Sequence, residues 1–380
     1  MLQVKYLVFL ISLISVSTVF SQSKGYYNKK LFDRYKHEYS VGIGISSCQT
    51  DVGGSNYSTQ ELNEKFGGKI FRAIYDTDIL SSNFVVNAGY TYRFNEKIRF
   101  RGNLIFSRIS GDDSKTDEFF RNNRNLNFRT DILELSATTE YHIVRANTGS
   151  KHNLRNPQGK RISPKWLYKT GFYLVGGVGG FLHVPKAKNN FSYELYITSN
   201  TNFTDAGYEF ETDNTTYHKL RPLHTEGQGY EGIEPGNDFD IPGKIFKPGK
   251  TYSNVAVCIP FGFGIQQAFD SYMGIKIEFG IRYTFTDYLD DVSGIYYDKI
   301  LLAQNIGNEN GNLAATMSGT NSGITSSDVT YSEAGYRRGN PKNNDYYGFL
   351  NISLYKTFVG NSNWYKSMNT KQKRKIRSSF

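Results

Sequence analysis

Long apolar runs are absent from this chain beyond its N-terminal segment, and cysteine and proline are scarce, at 2 and 9 of 380 residues. A membrane-spanning helix needs about 20 consecutive apolar residues, so helices past the N-terminus are excluded as membrane anchors. A disulfide-dense scaffold is excluded as well, because Cys48 and Cys258 form at most one bridge. They could pair in an oxidising compartment or stand as two small buried thiols, and nothing local decides between these. Concentrated charge is also missing. The formal charge is +10, but it is spread along the chain except at the extreme C-terminus, and no nucleic-acid-binding motif accompanies it. A nucleic-acid partner is therefore not expected.

Aromatic residues and glycine are abundant, with 29 Tyr, 27 Phe and 37 Gly. Membrane barrels use the first in interfacial girdles and the last where strands curve. The mean hydropathy is negative, which does not count against such a barrel, since only half of each strand faces lipid and polar loops dilute the average. The N-terminus "MLQVKYLVFLISLISVSTVFSQ" places Lys5 before an apolar run and ends on small residues, the pattern of a secretory signal cleaved after Ser21. Cys48 is too far along to be a lipoprotein start.

"NFRTDILELSATTEY" (127–141) alternates strictly: Leu133, Leu135, Ala137, Thr139 and Tyr141 share one face, and Glu134, Ser136, Thr138 and Glu140 the other. That is the period of a strand. Seven more stretches alternate similarly: 37–51, 83–94, 98–110, 166–184, 253–269, 274–288 and 346–358. Tight links at Asn95–Lys97 and Asp270–Met273 make hairpins of the second and third and of the sixth and seventh stretches. Long Gly/Asn/Asp/Ser/Thr-rich segments follow the first, fifth and seventh. Short turns at one end and long loops at the other are the asymmetry of outer-membrane barrels, and an even strand number puts both ends of the barrel in the periplasm. Pro260 lies inside the sixth stretch, where it removes a ladder donor and implies a bulge or kink.

Period alone leaves open which face is inside. A soluble sandwich would bury the leucines, whereas a membrane barrel would turn them to lipid. In a barrel of eight strands the interior is about wide enough to be filled by side chains. Arg101, Glu134, Glu140, Lys169, Glu278 and Arg282, on the polar faces, would then meet as a paired ionic core that plugs the lumen, because unpaired burial is costly.

Several features carry a possible chemistry. The acidic clusters Asp112, Asp113, Asp117, Glu118 and Asp287, Asp290, Asp291 offer carboxylates of the kind that hold calcium but lack the spacing of a calcium loop, and read as solvated strand ends. His183, His218 and His224 lie in or near the fifth connection, yet no local sequence completes a serine–histidine–carboxylate set. "GGVGG" (Gly176–Gly180) lacks the GK[ST] ending of a phosphate loop and sits within a strand. No cofactor is expected. The tail places Trp364 and Tyr365 before an acid-free basic run of Lys366, Lys371, Lys373, Arg374, Lys375 and Arg377, suited either to solvation or to docking on an acidic partner or anionic headgroups.

"CQTDVGG" (48–54), "RFRGNLIFSRISGDDS" (99–114) followed by "RNLNFRTDILELSATTEY" (124–141), and "TDYLDDVSGIYYD" (286–298) resemble the PorG-type outer-membrane β-barrels of Bacteroidetes. The resemblance implies a non-enzymatic component of the type IX secretion system, associated with the periplasmic ring of PorK and PorN. The segment 188–250 matches no pattern of that family.

The expectation is therefore an all-β protein, an eight-stranded antiparallel transmembrane barrel with a plugged polar interior and long extracellular loops. Its parts are a signal peptide (1–21), a periplasmic segment (22–36), the barrel in outer-membrane lipid (37–358) and a basic periplasmic tail (359–380). Two other functions are open: a surface adhesion or ligand-binding barrel acting through its loops, and a lipid-modifying enzyme.

Overall fold

In the computed structural model, residues 36–53, 83–116, 119–146, 169–189, 213–233, 245–246, 250–269, 272–319, 334–341 and 343–358 are described. The signal, the tail and the segment 147–168 lie outside them. Eight long strands dominate: β1 (His37–Gln49), β2 (Asn83–Arg93), β3 (Ile98–Asp112), β4 (Asn127–Val144), β5 (Thr170–Ala187), β6 (Val255–Ala268), β7 (Met273–Thr284) and β8 (Tyr346–Phe358). Each pairs antiparallel with its sequence neighbours, and β8 returns to β1 with Ile352 opposite Ile43, so the sheet closes on itself. Closure leaves no edge and satisfies the ladder groups internally, which is what lets a sheet stand in lipid.

The closed ring resolves the question of inside and outside. Ile43 and Leu135 are each 69% exposed on the outer wall, while Glu134 and Glu140 are fully buried in the lumen. The same inversion holds around the barrel, with Val257, Phe263, Ile277, Leu350 and Leu354 outward and Gln266, Lys276, Asn351 and Ser353 inward. An outer surface this apolar is a lipid-facing band, and the chain is a membrane-spanning barrel. Among the described residues no helix is long and apolar enough to cross a membrane.

Local departures from regularity have clear causes. The β5–β6 ladder skips Gly177 and Val178, the residues that would face Pro260 and Ile259, whereas the β6–β7 ladder runs through Pro260 opposite Arg282 without a break. The missing amide of Pro260 thus interrupts one ladder without breaking the strand. A Cβ on inward-facing Gly177 would lie 2.1 Å from the Ala137 carbonyl oxygen, so glycine there permits close packing of β4 on β5. No disulfide joins Cys48 to Cys258.

The turns at Phe94–Lys97 and beyond Ala268 share one end of the barrel with the start of β1 and the end of β8. The opposite, distal end is covered by the loops. Helix α1 (Phe119–Arg124) lies between β3 and β4, and α2 (Lys299–Ile306) and α3 (Asn308–Ser318) between β7 and β8. Asp298 caps α2, its carboxylate accepting from the Leu301 amide at 2.8 Å. Gly307, at φ 68°, makes the sharp joint to α3. These helices were not expected from the alternating pattern. Leu220, Leu223, Tyr297, Leu302, Ala314 and Met317 form a core within this cap. The segment 188–250 therefore contributes to the cap through its Leu220–Leu223 turn. Below it, Val52, Ile109, Phe128, Ile132, Leu289 and Tyr347 seal the top of the lumen.

Candidate functional site

The lumen is filled by an ion-pair network built from inward positions of five strands, β1 to β4 and β7. Arg101, on β3, donates through Nη1 and Nη2 to the Glu278 carboxylate at 2.7 and 2.8 Å and through Nη1 to Glu140 Oε1 at 2.9 Å. Lys276 Nζ lies 3.0 Å from Glu140 Oε1 and 2.6 Å from Glu38 Oε1. Arg93 closes on Glu38 Oε2 at 2.5 Å, with Arg99 at 3.7 Å. One layer toward the distal end, Arg282 Nε donates to Glu134 Oε2 at 3.0 Å, Tyr347 Oη donates to the same oxygen at 2.9 Å, and the Arg282 guanidinium stacks 3.9 Å from the Phe349 ring centroid. Cations and carboxylates alternate in space, and forked guanidinium–carboxylate geometry recovers part of the desolvation cost.

Of the residues singled out by sequence, the structure brings Arg101, Glu134, Glu140, Glu278 and Arg282 into this network and leaves Lys169 out of it. Lys169 precedes β5, which begins at Thr170, and its ammonium donates to the Phe269 carbonyl; Trp166, where the alternation in sequence starts, lies outside the described residues. Strand parity is meaningless for a residue beyond the strand's end. Sequence reasoning missed Glu38, Arg93, Arg99, Lys276 and His142, whose Nε2 lies 3.1 Å from Glu140 Oε2. The signal was there, since each shares inward parity with neighbours such as Ser40, Arg101, Glu278 and Glu140.

The acidic clusters also stand corrected. Rather than solvated strand ends, Asp113, Asp287, Asp290 and Asp291 are buried under the cap, while Asp117 and Glu118 fall outside the described residues. Arg124 holds Asp113 through Nε and Nη2 at 2.7 and 3.0 Å and donates from Nη1 to the Arg338 carbonyl at 2.7 Å. Arg338 in turn donates to the Asp291 carbonyl at 2.7 Å and to Glu226 Oε1 at 3.2 Å. Arg124 Nη2 also donates to the Asp51 carbonyl at 2.6 Å, so the two arginines tie four loops together. Asp290 accepts from the Val52 and Val292 amides, each at 2.9 Å.

The remaining carboxylates are less well compensated. Burial, with Asp51 and Glu226 nearby, pushes Asp287 up to about 7 despite Ser293. Burial pushes Asp291 up to about 6 against the pull of Arg338. Burial also raises Asp290 and Asp345, reinforced by Asp51 and Asp287 for the first and by Asp290, Asp287 and Asp51 for the second. Carboxyls with raised folded-state pKa bind protons more tightly folded than unfolded, so their stabilisation is complete below the ordinary aspartate value near 4 and is lost as pH rises through 6 to 7. Protection factors for the amides of 285–318, which remove the intrinsic pH dependence of exchange, should accordingly be higher at pH 5 than at pH 8. Asp287→Asn should flatten that difference and strengthen the cap at pH 8 by about 1–3 kcal/mol; unchanged exchange in the variant would refute it.

The three histidines have structural surroundings. His183 stacks on Tyr252 with centroids 6.1 Å apart, His218 lies on a two-residue strand paired beside the distal end of β5 opposite Ala187, and His224 Nδ1 sits 2.6 Å from the Gln228 carbonyl oxygen. The tail residues Trp364 to Arg377 lie outside the described residues.

No known family model matches the chain, and no curated protein sequence is significantly similar to it. Among solved structures, Neisserial surface protein A is similar at 7% identity and a TM-score of 0.30, covering 85% of this chain and 97% of that one. Ail of Yersinia pestis, in complex with the heparin analogue sucrose octasulfate, is similar at 10% identity and 0.30, covering 86% and 99%. The outer membrane protein OprG of Pseudomonas aeruginosa is similar at 8% and 0.31, covering 86% and 98%. Likenesses this distant carry no argument, and the fold stands on the closed ring of eight antiparallel strands, apolar outside and ionic within.

Proposed function

We propose that the chain is a non-enzymatic outer-membrane barrel that anchors or organises a protein secretion assembly, the type IX system with its PorK and PorN ring. One observation supports a structural role above others. The lumen is filled with ion pairs and the distal end is sealed by a packed cap, which makes a rigid post of the molecule rather than a passage. The motifs at 99–141 and 286–298 supply the link to type IX secretion. In this reading the end carrying the short turns faces the periplasm, and the turns at Asn95–Lys97 and Asp270–Met273, with the segment Trp364–Arg377, meet the ring.

The test is affinity purification from outer membranes with identification of co-purifying periplasmic proteins. The full chain is expected to bring down PorK and PorN, and a chain ending at Phe358 to lose them. Ring crosslinks that form only through the distal loops would overturn the reading. A second reading, a surface adhesion or ligand-binding barrel, is favoured by the distal cap having its own core. It predicts that substitutions in the cap abolish binding to cells or ligands while ring association persists.

A further inference from the structure

The outer wall is not uniformly apolar up to its distal end. On β3, β4 and β5 the last wholly apolar row is Phe106, Leu133 and Leu182, which lie opposite one another in register. The next outward row holds Arg108, Asp131 and Val184, and the row beyond it Ser110, Arg129 and Lys186, with Lys219 opposite Lys186 on the short strand His218–Lys219. Four cations on adjoining strands thus surround a single carboxylate. On β6, which adjoins β5, and on β7 and β8 beyond it, the outward residues toward this end are Val255 and Val257, Tyr283 and Tyr346, so among these described strand positions the charge is confined to the β3–β5 side.

The geometry of the cluster is ordered. Asp131 binds Arg108 Nε at 2.6 Å and Lys186 Nζ at 3.0 Å, fixing both side chains against the wall. Arg129 lies with its guanidinium 3.6 Å from the Tyr217 ring centroid, and its Nε is buried with no hydrogen-bond partner among the described residues. Arg129, Lys186 and Lys219 stand directly opposite one another on three neighbouring strands. Like charges in that relation destabilise a sheet, and a single aspartate does not neutralise them.

We propose that this rim is a binding site for the phosphate of a lipid headgroup. The cations sit immediately beyond the apolar band, at the depth where headgroup phosphates begin, and point outward toward the bilayer rather than into the lumen. An arginine fork flanked by lysines fits a phosphate's several acceptor oxygens. The bound anion offsets the repulsion between the three strands, and its acyl chains lie along Phe106, Leu133 and Leu182. The site depends on the barrel being embedded in a bilayer and not on the identity of any secretion partner.

The full chain, purified in an uncharged detergent, tests this through its thermal unfolding midpoint. Bisphosphorylated lipid A should raise the midpoint, whereas the same lipid stripped of its phosphates should not. Inorganic phosphate at equal concentration should have little effect. Arg129→Gln with Lys186→Gln should weaken the response at least about tenfold in lipid concentration, equivalent to about 1.4 kcal/mol. Lys356→Gln, on the outer wall at the proximal rim, should leave it unchanged. Raising salt should weaken wild-type binding, a readout that needs no variant. An equal response to the dephosphorylated lipid, full retention in the double variant, or insensitivity to salt would overturn the proposal. A shift reproduced by inorganic phosphate alone would overturn the lipid assignment in favour of a free-anion site.

Discussion

Arg101→Met should destabilise the barrel by about 3–5 kcal/mol, the scale for breaking a buried ion pair from one side. Arg101 bridges Glu278 and Glu140, both buried in the lumen, and methionine fills its volume without answering either charge. Glu140 keeps Lys276 at 3.0 Å. Among the described residues Glu278 keeps the Tyr173 hydroxyl, which donates to it at 3.1 Å, and no cation. The stranded group is therefore Glu278, and the paired substitution Arg101→Met/Glu278→Leu should recover most of the loss, because an apolar pair of similar size carries no desolvation debt. Reversible urea unfolding in lipid vesicles measures both. If the double variant were as unstable as the single one, the lumen would be held by shape rather than by charge compensation.

Ile43→Arg should cost about 2–4 kcal/mol, the range for a cation on the lipid face near the bilayer midplane. Ile43 is 69% exposed, and a residue that open on a water-soluble protein would tolerate the change to within about 0.5 kcal/mol. The difference between these outcomes separates lipid from water as the solvent of the outer wall. Ser47→Arg, two outward positions nearer the distal rim, should cost under about 1 kcal/mol by the same depth dependence. Equal and negligible costs at both positions would show that the wall faces water.

The alternation of apolar and polar residues carries most of the barrel in plain view. It places Leu133, Leu135 and Tyr141 on one face of β4 and Glu134 and Glu140 on the other, and the three residues Asn95–Lys97 declare the hairpin of β2 and β3. It fails at strand ends, where Lys169 has the right parity but no strand beneath it. It fails more completely in the loops. The Arg124 guanidinium meets the Arg338 carbonyl across 214 residues of sequence, and nothing local to either announces the other. The aspartates of 287–291 read as solvated because charged, turn-rich segments usually are; they are buried because segments from two other loops and the far end of their own connection fold over them.

By itself the sequence determined the number of barrel strands, the partition of their side chains into two faces and the inequality of the connections, since all three follow from a period of two and from where that period stops. Tertiary structure alone decided which face looks inward, because only closure of β8 onto β1 makes an inside. It likewise decided which cation answers which carboxylate, and that the distal loops form a packed cap, since these contacts join residues remote in sequence and their energies depend on burial that no single strand or loop possesses.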